Sequence, residues 1–123
     1  MGKYMLILVM PLYLLSQPNY NCKIQKVSND FYKPYVNESF TVNRETGVMS
    51  GTLKNSFFTK PKIIDKGSKE NSYKVITTME LYQGNGAGSN VHVLVIEEFV
   101  ESNKKPFVYL WNTDVYWGEC IHD

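Results

Sequence analysis

Along most of this chain polar and apolar residues alternate with the two-residue period of a half-buried β-strand. Tyr20 to Val27 sets Tyr20, Cys22 and Ile24 against Asn21, Lys23 and Gln25. Ser39 to Asn43 and Val48 to Leu53 flank Arg44-Glu45-Thr46-Gly47, a turn whose glycine can take positive φ, and this predicts a hairpin. Pro61 to Lys66 reads as a brief strand through Ile63 and Ile64. Tyr73 to Leu81 puts Tyr73, Val75, Thr77 and Met79 on one face and Lys74, Ile76, Thr78 and Glu80 on the other. Val91 to Val100 is the longest β-forming run after the N-terminus, and both of its faces are apolar. An antiparallel strand with one wet face has no need of that, so something should cover the outer side as well. The candidates are the loop at residues 28–38, the Phe57-Phe58 loop, a second sheet or a partner protein. Pro106 to Trp111 and Val115 to Cys120 complete the strands.

The connections fit this reading. Residues 28–38 carry Phe31, Tyr32 and Tyr35 without a clear period and read as a loop that docks its rings on the sheet. Residues 83–90 contain Gly84, Gly86 and Gly88, but a strand follows where a phosphate cradle needs a helix, so a hairpin connection is expected. No segment of useful length shows the 3.6-residue period of a helix. The pattern predicts an all-β fold, a small antiparallel meander of about eight strands forming a closed or nearly closed barrel, with a β-sandwich as the alternative. An eight-stranded barrel is either just filled by side chains or holds one small ligand. The 15 aromatic residues beyond residue 17 favour the filled interior, unless several line a cleft.

The N-terminus changes the domain count. Met1-Gly2-Lys3 gives a short positive start, Tyr4 to Leu15 is almost wholly apolar, and polarity returns at Ser16-Gln17. That is the layout of a secretory signal peptide, and it is shorter than the roughly 20 residues of a membrane-spanning helix. Residues 1–17 are therefore expected to be a signal peptide and residues 18–123 one all-β domain, periplasmic or secreted, with no membrane span after signal removal. The remaining chain carries 12 basic and 12 acidic side chains, a balance that offers no field for capturing nucleic acid. The distribution is uneven. Six lysines between Lys54 and Lys74 face two acids, and six acids between Glu97 and Asp123 face two lysines, so a bipolar surface that orients a partner stands beside the plainer reading of solvated faces. In an oxidising compartment the two cysteines, Cys22 and Cys120, are expected to pair and tie the first strand to the last.

Candidate chemistry is sparse. Glu97 and Glu98 are neighbours on a predicted strand and should point to opposite faces. No nucleophile elbow, metalloprotease helix or phosphate loop occurs, and Cys120 with His122 provides too few ligands for a metal, so no cofactor or metal is expected. Tyr109, Trp111, Tyr116 and Trp117 lie on two successive strands that should pair. They read either as core or, with the glycines at 84, 86 and 88, as a binding surface for a protein or glycan.

Several segments together resemble a family of short secreted proteobacterial proteins of unknown function: Phe40-Thr41-Val42-Asn43-Arg44-Glu45-Thr46-Gly47-Val48-Met49-Ser50-Gly51, Ile64-Asp65-Lys66-Gly67-Ser68, Asn71-Ser72-Tyr73-Lys74-Val75, Glu98-Phe99-Val100, Lys105-Pro106-Phe107 and Val115-Tyr116-Trp117-Gly118-Glu119-Cys120. The resemblance implies a signal peptide and an N-terminal cysteine able to pair with the C-terminal one. The leading expectation is a periplasmic or secreted non-catalytic binding or inhibitory module whose partner is a protein or glycan in the cell envelope or outside. A small barrel carrying an apolar ligand is the second expectation. A hydrolase assembling His92, Glu98 and a hydroxyl is the third.

Overall fold

The computed structural model describes residues 19–56, 59–79 and 89–122. The predicted signal segment, the Phe57-Phe58 pair and Gly84, Gly86 and Gly88 lie outside them. Among the described residues there are eight strands: β1 (Asn19–Val27), β2 (Ser39–Asn43), β3 (Met49–Gly51), β4 (Lys62–Lys66), β5 (Tyr73–Met79), β6 (Asn90–Ile96), β7 (Lys104–Trp111) and β8 (Asp114–His122). All pair antiparallel in one sheet of order β3-β2-β1-β8-β7-β6-β5-β4, strongly curled into a half-barrel. The meander predicted from the alternation is present, as one sheet rather than two.

Because β1 pairs with β8, the first and last strands lie inside the sheet and the ring is open between β3 and β4. Polar contacts stitch that opening in place of a strand ladder. Asn55 is buried, donates from Nδ2 to the Gly47 carbonyl (2.9 Å) and accepts from the Met49 amide (2.8 Å), so its side chain serves β3 much as a neighbouring backbone would. Tyr109 reaches from β7 to donate to the Lys54 carbonyl at 3.1 Å. Leu53, in the same connection, is buried.

Alternation decides what faces inward. Tyr20, Cys22 and Ile24 of β1, Phe40 and Val42 of β2, Met49, Tyr73 and Val75, Leu94 and Ile96, Phe107 and Tyr109, and Tyr116 and Cys120 are all buried on the concave side. Tyr20, Tyr73, Tyr109, Tyr116, Phe40 and Phe107 are the bulk of it, which is how a small sheet fills a curled interior. Cys22 and Cys120 sit directly opposite in the β1–β8 register, 3.9 Å apart at Cα, and form the expected disulfide. Two positions later in β1 the strands approach so closely that a Cβ on Gly118 would lie 1.9 Å from the Lys23 carbonyl oxygen, so that position admits glycine alone. The pairing slips by one residue between Ile24 and Lys26, at the same place.

Residues 28–38 differ in detail from the predicted loop. Asn29 caps a short 3₁₀ turn, Asp30–Tyr35, by accepting from the Phe31 amide at 2.9 Å. The three-residue repeat of that turn brings Tyr32 and Tyr35 to one side, where both rings pack on Tyr116 at 5.8 and 6.3 Å, while Phe31 stands out in solvent. The docking of rings expected from the sequence is thus made by two of the three.

Candidate functional site

Antiparallel pairing brings the starts of β1, β5 and β7 and the ends of β2, β4, β6 and β8 to one end of the half-barrel. Here β6 stops at Ile96 rather than continuing to Val100, and the chain turns through an Ile96 carbonyl bond to the Glu98 amide. The turn re-aims Glu98. A strand would leave it opposite in facing to Glu97, with one of the two solvated. Instead its carboxylate is largely buried, accepts from the Tyr20 hydroxyl and lies 3.2 Å from His122 Nδ1.

His122 is held from both sides. Arg44 Nη1 is 2.6 Å from Nε2 and a guanidinium only donates, so Nε2 accepts and Nδ1 carries the ring proton toward Glu98. Arg44 also donates from Nη2 to the Lys66 carbonyl at 3.1 Å, across the open side of the sheet, and lies over the rings of Tyr20 and Tyr73 at 5.1 and 5.9 Å. Tyr73 donates to the Arg44 carbonyl at 3.1 Å. Burial pushes the phenols of Tyr20 and Tyr73 up, Tyr73 to about 12, and for Tyr20 the bond to Glu98 adds to the effect. One relay, Tyr20–Glu98–His122–Arg44–Lys66 carbonyl, thus ties β1, the β6 turn, β8, the β2–β3 turn and β4. Both Glu98 oxygens and both His122 nitrogens are engaged. As arranged, the cluster locks the end of the half-barrel.

Beside it a cavity of about 340 Å³ is lined by Ser68, Lys69, Glu98, Phe99, Val100, Glu101 and Lys105. The Lys105 side chain is buried and donates to the carbonyls of Glu98 (3.0 Å) and Val100, which fixes the turn that aims Glu98.

The opposite end holds His92, buried four residues, about 13 Å, before the end of β6. Its Nδ1 is 2.7 Å from the Tyr109 hydroxyl, its ring stacks on Trp111, and burial lowers its pKa. His92 and Glu98 therefore sit toward opposite ends of the half-barrel, and the pair that the hydrolase reading requires is not assembled. Glu98 meets His122 instead.

The four aromatics of the last hairpin do not form one platform. Tyr109 and Tyr116 are opposed in register and wholly buried inside, Trp111 packs partly buried against His92, and Trp117 faces outward with Lys26 Nζ 5.1 Å from its ring. The physical reason is parity: Tyr109, Trp111 and Tyr116 share the concave face, and Trp117, one residue on, takes the other.

That outer face is the second feature of note. Ile76, Val93, Leu110 and Val115 form one row across β5–β8, and Val95, Val108 and Trp117 form the next. All are only partly buried, and Ile64 beside them on β4 is 57% exposed. Lys62 and Lys74 flank the rows on the β4 side and Lys26 on the β1 side, while Glu97 and Glu119 lie toward one end. By contrast the outer faces of β1 and β2 are polar: Asn21, Lys23, Gln25, Ser39, Thr41 and Asn43 are exposed. Sequence reasoning found the two-faced apolar character of Val91–Val100 but missed Arg44, Tyr20, Tyr73, His122 and Lys105. The inward parity of both tyrosines was the available signal for part of that set.

Among the described residues no helix is long and apolar enough to cross a membrane, and no group of three or more histidine, cysteine, aspartate or glutamate side chains is placed to hold a metal. Comparison with protein-family models, curated proteins and solved structures finds no match to this chain.

Proposed function

We propose that the protein is a non-catalytic binding module of the periplasm or exterior that engages a protein partner through the outer face of β5–β8. The observation that carries this reading is the pair of outward apolar rows, Ile76–Val93–Leu110–Val115 and Val95–Val108–Trp117, set in a sheet whose other half is polar outside. A contiguous apolar patch rimmed by polar residues is the surface signature of a contact site. The outer side of the curled sheet is convex, which favours a protein over a small molecule, which prefers a concave pocket. Lysines on both flanks, Lys62 and Lys74 on one and Lys26 on the other, suit a partner with an apolar centre and acidic margins. The Cys22–Cys120 disulfide supports an oxidising compartment. The large rings packed inside leave the carrier reading without a supporting observation.

The test is affinity isolation of the partner from envelope and extracellular fractions, followed by binding isotherms with Val93→Glu/Leu110→Glu. The doubly substituted protein, verified as folded and disulfide-bonded, should lose about 2 kcal/mol or more of affinity, the scale of a central interface residue. Unchanged affinity would remove this face from consideration. Recovery of a glycan that binds both forms equally would do the same.

A further inference from the structure

The cavity beside Glu98 contains an ammonium with no carboxylate at ion-pair distance. Lys105 is only 8% exposed, and its ammonium donates to two backbone carbonyls, those of Glu98 and Val100. An ammonium has three N–H donors, so one is left over. Among the described residues no carboxylate lies within 4.0 Å of it, since the contacts of that kind there are Lys33–Asp30, Lys66–Glu45 and His122–Glu98. Of the two acids that line the same cavity, Glu98 has its oxygens bonded to Tyr20 and His122, and Glu101 forms no ion pair with Lys105. A buried lysine without an anion is costly, because carbonyl dipoles replace water but do not neutralise the charge.

The surrounding wall supplies what an anion would need. Ser68 Oγ accepts from the amides of Glu70 (3.0 Å) and Asn71 (3.1 Å), which leaves its hydroxyl hydrogen to donate. Lys69 stands at the rim, and Phe99, 41% exposed, and Val100 provide an apolar side. At about 340 Å³ the space is at the lower end of small-molecule pockets. We infer that this cavity binds a small organic carboxylate, its charge on the Lys105 ammonium and the Ser68 hydroxyl and its apolar body against Phe99 and Val100. Glu101, the other acid in the wall, opposes such a ligand by like charge. This site is independent of the outer sheet face.

Titration of the disulfide-bonded protein at constant ionic strength, followed by amide NMR, tests it with benzoate as the probe and benzamide as its uncharged counterpart. Benzoate should shift the amides of Ser68, Lys69, Val100 and Glu101 saturably, whereas benzamide should not. Lys105→Gln should weaken benzoate binding by about tenfold or more, and Glu101→Gln should strengthen it. If Lys105→Gln does not fold, Phe99→Ala, at a partly exposed position, should still weaken benzoate binding while leaving the fold intact. Non-saturating shifts up to tens of millimolar, identical responses to benzoate and benzamide, or binding unchanged by both Phe99→Ala and Glu101→Gln would overturn the inference.

Discussion

Removing the Cys22–Cys120 bridge by double substitution to alanine perturbs the pairing on which the topology turns. The two residues are 98 apart in sequence and directly opposite in the β1–β8 register, so the bond closes a loop of almost the whole described chain. Loop-closure entropy for that length corresponds to about 4.7 kcal/mol at 25 °C. Both side chains are almost wholly buried, and truncation to alanine removes some packing as well. Natural bridges in small domains contribute about 2–5 kcal/mol, and for a domain of this size each kcal/mol moves Tm by about 4 °C or a little more. The expected result is therefore a fall of about 10–20 °C in Tm. The urea m-value should rise, because the unbridged denatured chain exposes more surface. Equilibrium urea unfolding and calorimetry of both forms provide the measurement. A loss below about 1 kcal/mol with an unchanged m-value would refute the reasoning, because it would mean that β1 and β8 remain together in the denatured state without the bond.

Alkaline unfolding should be steep. Burial holds the phenol of Tyr73 protonated up to about pH 12 and also raises those of Tyr20, Tyr109 and Tyr116, whereas tyrosines of the unfolded chain titrate near 10. Their stabilising contribution is complete below pH 10 and falls as pH rises from there through the folded values, by up to about 1.4 kcal/mol per pH unit for each phenol. Denaturant midpoints that are flat between pH 9 and about 11.5 would contradict this. Gly118→Ala should cost several kcal/mol, at or above the roughly 1–3 kcal/mol typical of overpacking, because the new Cβ meets the Lys23 backbone rather than a movable side chain; Tm measurement checks it, and a wild-type value would show that β1 can move aside. Arg44→Met should cost about 1–3 kcal/mol by stranding His122 Nε2 and the Lys66 carbonyl, and amides of β4 should exchange faster in hydrogen-exchange experiments. Unaltered β4 protection would show that the relay does not hold the open side.

Much of this fold could be read from period alone. The starts of all eight strands lie within about two residues of those predicted, because nearly every strand keeps one face in the core and so alternates cleanly. The main end-point error was β6, whose apolar run outlasts its ladder: Glu98 is drawn out of the strand direction by Tyr20, His122 and the Lys105-bonded turn, and the first two come from distant segments. The seam was not legible for a similar reason. Alternation says which residues face inward but not which strands become neighbours, so Arg44 read as a turn residue and not as the cation bridging β4 to β8. The 3₁₀ turn was hidden because its i, i+3 spacing, Tyr32 to Tyr35, occurs only once. The last hairpin shows parity correctly inferred and burial left open. Tyr109 and Trp111 share a face as expected, and only the curl of the sheet makes that face the interior.

The outer face of β5–β8 is tested most directly by a photo-crosslinking residue placed in turn at Val93, at Val108 and, on the polar half of the same sheet, at Thr41, with irradiation in the native envelope or extracellular milieu. The proposed contact predicts a discrete protein adduct of the same mass from positions 93 and 108 and none from 41. Equal adducts from all three positions, or adducts from Thr41 alone, would contradict it.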